Sequence, residues 1–292
     1  MIKFKKVELS DAELLFPAFD KYRGRICDYS AGNVLFWRDY YDISYYLGDE
    51  GFVLRYGDMD GVSCYSYPIS DEPTRLIDAL LFDMGELVLT CLTEEEYGLI
   101  REKYNVKETM YTEDFDDYLY NAEDIIYLRG RRYNGQRNHI NKFKKSYPGA
   151  TFEVIDEKNV SDAIEFCREY FDHIGKPTEV SDVECAALVE QLENFELYRQ
   201  YGGILRDGEK IVGISIGEIV GDTLIIHTEK ADTSYSGAYP MLTNSFAREF
   251  ATDERVKYIN REEDCGEEGL RISKRSYHPT EMIKKFAVRI TK

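Results

Sequence analysis

Gly51-Phe52-Val53-Leu54-Arg55-Tyr56-Gly57-Asp58 returns later in the chain as Gly202-Gly203-Ile204-Leu205-Arg206-Asp207-Gly208-Glu209. In both stretches an apolar run of strand type meets a Gly-centred turn and then a second such run, the pattern of a β-hairpin. Ser10-Asp11-Ala12 returns as Ser161-Asp162-Ala163 at the same offset of 151 residues, each time at the opening of a helical pattern. Two matches at one offset, close to half of a 292-residue chain, point to internal duplication.

Outward from these matches the two halves follow one order: a helix, a second helix or loop, a hairpin, a helix and a closing strand. Ser10 and Glu13 stand at capping-box spacing. In the second half the pattern predicts strands over 203–207, 211–220 and 223–231, a helix over 239–251 and a strand over 256–261. In the first half it predicts strands over 51–56 and 61–68, a helix over 72–83 and a strand over 86–92. No third meander strand is visible there, so the first half reads as a reduced copy. Hairpins followed by a helix and one more strand imply an α/β (α+β) fold with mixed sheets and helices on their faces. The stretch 121–147 reads as a long joining helix, weakened by Gly130 and Gly135, with a break near 130–135. The expected division is 1–121 for the reduced copy and 122–292 for the copy with the joining helix and the candidate active site.

Hydrophobic residues form 43% of the chain, enough for a buried core, yet no apolar run approaches the roughly 18 residues of a membrane-spanning helix. The basic start is not followed by an apolar stretch, so neither a leader nor a transmembrane segment is expected, and a cytoplasmic location is. Six cysteines stand singly, with no Cys-x-x-Cys, and four histidines lie far apart. That usage predicts reduced thiols, no disulfide framework and no metal site. The net charge of −18 argues against wrapping a polyanion with the whole surface.

Three segments carry chemistry. Leu128 to Lys145 holds Arg129, Arg131, Arg132, Arg137, Lys142, Lys144 and Lys145 with no acid, and interleaves Tyr133, Asn138 and Asn141. Guanidinium groups match phosphate or carboxylate, and amides orient a ligand; a solvated basic face is the alternative. Leu224 to Tyr239 puts His227 and Glu229 on one strand face and Lys230 on the other, then runs through Ser236-Gly237-Ala238 into a helix. Cross-strand ion pairing is the plain alternative for Glu229 and Lys230. Tyr258 to Pro279 gathers Asn260, Arg261, Glu262, Glu263 and Asp264 at a strand end, with Gly266 and Gly269 behind them. Loops beyond strand ends collect ligands in open α/β sheets, and clustered carboxylates raise one another's pKa toward that of a general base; helix capping by Asp264 or Glu263 and surface ion pairing are the plain alternative.

At these residues a family resemblance is visible. Glu229-Lys230-Ala231-Asp232, Gly237-Ala238-Tyr239 and Asn260-Arg261-Glu262-Glu263-Asp264-x-Gly266-x-x-Gly269-Leu270-Arg271, with Lys274, Ser276 and Tyr277, resemble a bacterial family similar to the C-terminal catalytic domain of phosphatidylglycerol lysyltransferase. Tyr133-x-x-x-Arg137-Asn138-x-Ile140-Asn141-Lys142-Phe143 and Asp28-Tyr29-Ser30-x-Gly32-Asn33-x-x-x-Trp37-Arg38 resemble its other signatures. The resemblance implies two tandem GNAT-like (acyl-CoA N-acyltransferase-like) domains, as in the Fem-type aminoacyltransferases, and acyl or aminoacyl transfer to an acceptor. It departs from CoA-binding relatives at Thr233 to Ala238, where Thr and Ser replace the Arg/Gln and first Gly of the pyrophosphate turn.

By chemistry, Glu263 or Asp264 is the candidate base for an acceptor amine or hydroxyl, and Lys230, Lys274 or Arg137 holds donor phosphate or an oxyanion. Candidate substrate-binding residues are Arg131, Tyr133, Arg137, Asn138, Asn141, His227, Glu229, Tyr239, Asn260, Arg261, Gly266 and Tyr277. No cofactor is certain; aminoacyl-tRNA or an acyl-CoA is the candidate donor, a small molecule or lipid headgroup the acceptor, and 128–145 the candidate tRNA contact. Two further readings stand beside transfer: a non-catalytic protein that binds a small anion or amino acid, and an acetyl-CoA-dependent N-acetyltransferase.

Overall fold

The computed structural model describes residues 2–22, 24–173 and 178–292. The chain forms two compact units: unit 1 is 1–117 with 263–268 and 282–292, and unit 2 is 118–262 with 269–281. Each unit therefore draws on more than one stretch of chain, where the expected halves were single stretches.

Unit 1 runs β1 (Lys5–Lys6), α1 (Ala12–Phe19), α2 (Ala31–Trp37), β2 (Ser44–Gly48), β3 (Gly51–Met59), β4 (Val62–Ser66), α3 (Pro73–Met84), β5 (Glu86–Leu92), α4 (Glu94–Lys103) and β6 (Asn105–Met110). Unit 2 follows with β7 (Asp117–Asn121), α5 (Ala122–Tyr127), α6 (Asn134–Ser146), β8 (Ala150–Val154), α7 (Val160–Asp172), α8 (Glu179–Glu193), β9 (Tyr201–Asp207), β10 (Lys210–Val220), β11 (Thr223–Ala231), α9 (Ala238–Phe250), β12 (Tyr258–Asn260), α10 (Glu268–Arg275) and β13 (Glu281–Ile283). The last strand, β14 (Phe286–Thr291), returns to unit 1. The sheet orders are β1-β2-β3-β4-β5-β14-β6 and, read from its other edge, β8-β9-β10-β11-β12-β7-β13. In each, one parallel pair, β4–β5 or β11–β12, is joined through a helix, and its neighbours pair antiparallel. Both units are mixed sheets flanked by helices.

The two sheets correspond position by position, so the first copy is not reduced. Its third meander strand is β2, which pairs with β3 from Ser44↔Arg55 to Gly48↔Gly51. By sheet position β3 corresponds to β10 and β2 to β9. The hairpin match that suggests duplication thus aligns β3 with β9, one strand out of step, while the helix match aligns α1 with α7 correctly. Helix signals need small adjustment too. The capping box near the start is made by Glu8 and Asp11, not Ser10 and Glu13. The joining helix breaks at Leu128–Gly130, where two left-handed residues end α5 before α6 begins.

The order follows from burial. In unit 1, Leu76, Ile77, Leu80 and Leu81 of α3 and Leu87, Val88 and Leu89 of β5 are buried. In unit 2, Phe143 of α6, Leu205, Val212 and Ala231 of the sheet and Ala238 and Leu242 of α9 form one core cluster. Each fully buried aliphatic or aromatic side chain of this kind contributes roughly 1.5–3 kcal/mol. Gly237, which opens α9, has φ 89°, and a Cβ there would meet the His139 carbonyl oxygen at 2.5 Å. Only glycine lets α9 and α6 approach so closely.

Candidate active site

β11 and β12 pair only from Thr223↔Tyr258 to Ile225↔Asn260, while β11 continues to Ala231. Beyond that point the gap is bridged by side chains. His227 sits at a bulge: Ile216 pairs with Thr228 and Gly217 with Ile226, leaving His227 unmatched on β10. Its two ring nitrogens lie 2.7 Å from Glu262 Oε1 and 2.8 Å from Glu218 Oε1. Burial opposes its charge, but the two carboxylates win and hold its pKa up at about 10. Arg261 Nη2 donates to Glu229 Oε2 at 2.6 Å, and Thr243 of α9 donates to Glu229 Oε1 at 2.6 Å. The Tyr277 ring covers the guanidinium at 4.9 Å.

In unit 1 the start of β14, the turn before α2, Asp117 and Glu263 surround one ammonium. Lys285 Nζ lies 2.9 Å from each of Asp28 Oδ2, Asp117 Oδ1 and Glu263 Oε2. The Cys27 thiol lies 3.3 Å from Asp117 Oδ1 and 3.4 Å from Glu263 Oε2, and its backbone N–H donates to Asp117 Oδ2 at 2.8 Å. The Cys91 thiol donates to Asp28 Oδ1 at 3.2 Å. Side-chain exposure is 6% for Lys285 and 0% for Asp117, but 25% for Asp28 and 24% for Glu263, so solvent reaches one edge of the cluster.

Burial is the main cause that raises Asp117 to about 7; Lys285 pulls it down, and Glu263 and Asp28 push it up again. For Lys285, burial opposes the charge, yet Asp117, Asp28, Cys27 and Glu263 hold its pKa well above the usual lysine range. Burial, followed by Asp117 and Glu263, keeps the Cys27 thiol protonated. Burial and the neighbouring carboxylates thus favour a proton on Asp117, next to an edge where Asp28 and Glu263 meet solvent. The backbone beside it is strained: Cys91 (φ 55°) and Cys265 (φ 51°) are left-handed residues that are not glycine. Cys27, Asp117 and Glu263 also bring ligand-type atoms within 4.8 Å of one another, the spacing of a metal-binding set. The Lys285 ammonium supplies the positive charge there, and a metal ion would have to displace it.

The structure distributes the sequence-predicted residues widely. Glu263 lies in the unit 1 cluster. Asp264 is fully buried and holds the next turn, accepting from the Gly266 N–H at 2.9 Å. Asn260 is buried and accepts from the Glu262 N–H at 2.6 Å. Lys230 pairs with Glu184 of α8 at 2.7 Å, and Lys274 stands over the Tyr118 ring at 5.9 Å. Tyr239 Oη lies 3.4 Å from Tyr170 Oη. Arg137 donates to the carbonyls of Leu128 and Gly130 and to Asn134, closing the break before α6. Tyr133 is buried against His278, whereas Arg131, Asn138 and Asn141 are exposed. Lys285, Asp117 and Cys27 are the functional candidates that sequence reasoning missed. Asp28 opens the Asp28–Arg38 signature.

Unit 2 also has an open cleft of about 930 Å³ along α7 and the β9–β10 turn. Its cations are internally paired: Arg206 with Asp162 and Lys210 with Asp232, both at 2.8 Å. The turn before α9 is closed on itself, because the Ala238 N–H donates to the Tyr235 carbonyl at 3.0 Å and Asp232 accepts from Ser234.

Comparison with known proteins adds the family. A conserved protein of unknown function from Bacteroides thetaiotaomicron VPI-5482 has a crystal structure that matches with a TM-score of 0.90 and 29% identity, covering 100% of both chains. L-PGS of Bacillus licheniformis matches with a TM-score of 0.67 at 13% identity, over 94% of this chain and 91% of that one. FemX matches with a TM-score of 0.63 at 8% identity, over 98% and 97%. At such identities the last two show a shared fold. The family model for phosphatidylglycerol lysyltransferase, C-terminal, matches residues 19–289, and the chain belongs to that family.

Proposed function

We propose that the protein transfers an aminoacyl group from a carrier to an amine or hydroxyl acceptor, with Glu263 as the base. The observation that carries this reading is the placement of Glu263 at the open edge of a buried carboxylate–ammonium cluster. Glu263 takes the acceptor proton, the acceptor atom bonds to the aminoacyl carbonyl carbon, and the carbon–oxygen bond to the carrier breaks. The proton then passes from Glu263 to the leaving oxygen, which balances the step.

Aminoacyl-tRNA is the favoured donor. Arg131, Lys142, Lys144 and Lys145 are exposed, and their charges suit a phosphate backbone. Acyl-CoA is less suited: the turn before α9 holds the Asp232 carboxylate and spends the first N–H of the helix on Tyr235. The corresponding turn before α3 carries Asp71 and Glu72 ahead of Pro73, which repel a pyrophosphate. The family name, phosphatidylglycerol lysyltransferase, favours a lipid headgroup as acceptor. The internal pairing of Glu229, Lys230 and Arg137 favours the second reading, a binding protein without turnover.

The test supplies labelled aminoacyl-tRNA or labelled acetyl-CoA, with phosphatidylglycerol vesicles or small amines as acceptors. Label should move from tRNA to one acceptor, less efficiently as salt rises. Movement from acetyl-CoA alone would reject the proposal. A rise in Tm with free amino acids but no transfer would support the binding reading.

A further inference from the structure

We propose that Lys285 and Asp117 form a proton store behind Glu263, with Lys285 as the positioning and relay residue between the two carboxylates. The inference rests on the transfer reading and deepens it by adding two residues that do not touch substrate. Lys285 Nζ is 2.9 Å from Glu263 Oε2 on one side and 2.9 Å from Asp117 Oδ1 on the other. Asp117 is fully buried, while Glu263 is reached by solvent, so a proton held on Asp117 is shielded and one on Glu263 is not.

The relay balances without an outside reactant. A proton on Nζ passes to Asp117 Oδ1 as the proton that Glu263 took from the acceptor refills Nζ. One proton has then moved from Glu263 to Asp117, and Lys285 is again an ammonium. The reverse movement returns it to Glu263 for the leaving oxygen. The charged and titratable groups around Asp117 include Lys285 before β14, Glu263 after β12, Asp28 and Cys27 before α2, and Tyr22 after α1. Asp117 and Glu263 thus share one ammonium from its two sides, the arrangement a relay between them needs.

Two measurements separate this inference from the transfer reading. First, carbon-13 NMR of aspartate carboxyls follows Asp117 across pH, with no substrate present. In Glu263→Gln its midpoint should fall by about one pH unit, because a facing negative charge is gone. An unchanged midpoint would overturn the relay even if transfer is confirmed. Second, in the transfer assay, Asp117→Asn should lower kcat at least tenfold, leave KM near its wild-type value and remove the rise in rate through pH 7. Lys285→Arg keeps the positive charge but cannot give up a proton, so it should slow transfer as Lys285→Met does, and a wild-type rate in Lys285→Arg would overturn the relay. A folded Asp117→Asn protein with the wild-type rate and pH profile would sink the proposal. If wild-type protein transfers nothing, the transfer reading fails, and the NMR result alone decides whether the two carboxylates are linked.

Discussion

Unit 1 and unit 2 share one strand order but manage buried charge differently. In unit 2 two cations, His227 and Arg261, meet three carboxylates, and each guanidinium or imidazole is locked by strand neighbours. In unit 1 one ammonium meets three carboxylates, two of them partly open to solvent. The first arrangement ties a gap in a sheet together. The second leaves excess negative charge that a proton relieves, and a proton that can come and go is what a transfer reaction needs. Buried ion pairs are weak evidence for stability and better evidence for a specific structural or chemical task.

The contrast is most open to attack at Lys285. Lys285→Met removes the ammonium that Asp28, Asp117 and Glu263 share and should lose about 3–5 kcal/mol in urea unfolding at pH 7.5, with partial recovery at pH 5 as they protonate. A loss under about 1 kcal/mol would place Lys285 among ordinary surface-type pairs. In unit 2, Arg261→Met should cost about 3 kcal/mol because Glu229 stays buried and unpaired, and adding Glu229→Leu should restore part of that loss. If the double variant is no better than the single one, the pair is not the source of the cost.

A gentler probe is pH. The raised pKa of His227 contributes stability that is complete below its unfolded value of 6.5 and disappears as pH rises through about 10. Asp117, also raised, contributes stability complete below 3.8 and lost by about pH 7. Unfolding curves from pH 4 to 10 should therefore show two declines; His227→Gln should remove the upper one and Asp117→Asn the lower. The smallest effect is expected at Cys265, exposed and left-handed at φ 51°. Cys265→Gly should gain about 0.5–1 kcal/mol by relieving that backbone, seen as a small rise in Tm.

Local pattern was enough for much of the fold. The strands at 223–231 and 86–92 have the expected bounds, and α3 and α9 lie within one residue of theirs. β2 escaped because Tyr45-Tyr46-Leu47 is a short run beside the acid-rich Asp39–Asp42 and Asp49–Glu50 stretches. β7 and β14 escaped for another reason: each enters a sheet beside strands remote in sequence, and no local periodicity records such a neighbour. The site divides the same way. Glu263 stands in a visible run of acids, whereas Lys285 looks like half of a surface Lys-Lys pair. Its meaning comes from Asp28, 257 residues away. Arg137 and Asp264 drew notice by their type, but both are used by the chain to hold its own turns.

The most direct test of the central claim is single-turnover transfer from labelled aminoacyl-tRNA, comparing wild type with Glu263→Gln at equal folded concentration. The account predicts transfer by wild type and a loss of at least 100-fold in the variant, in line with removal of a general base. Equal rates in the two proteins would contradict it.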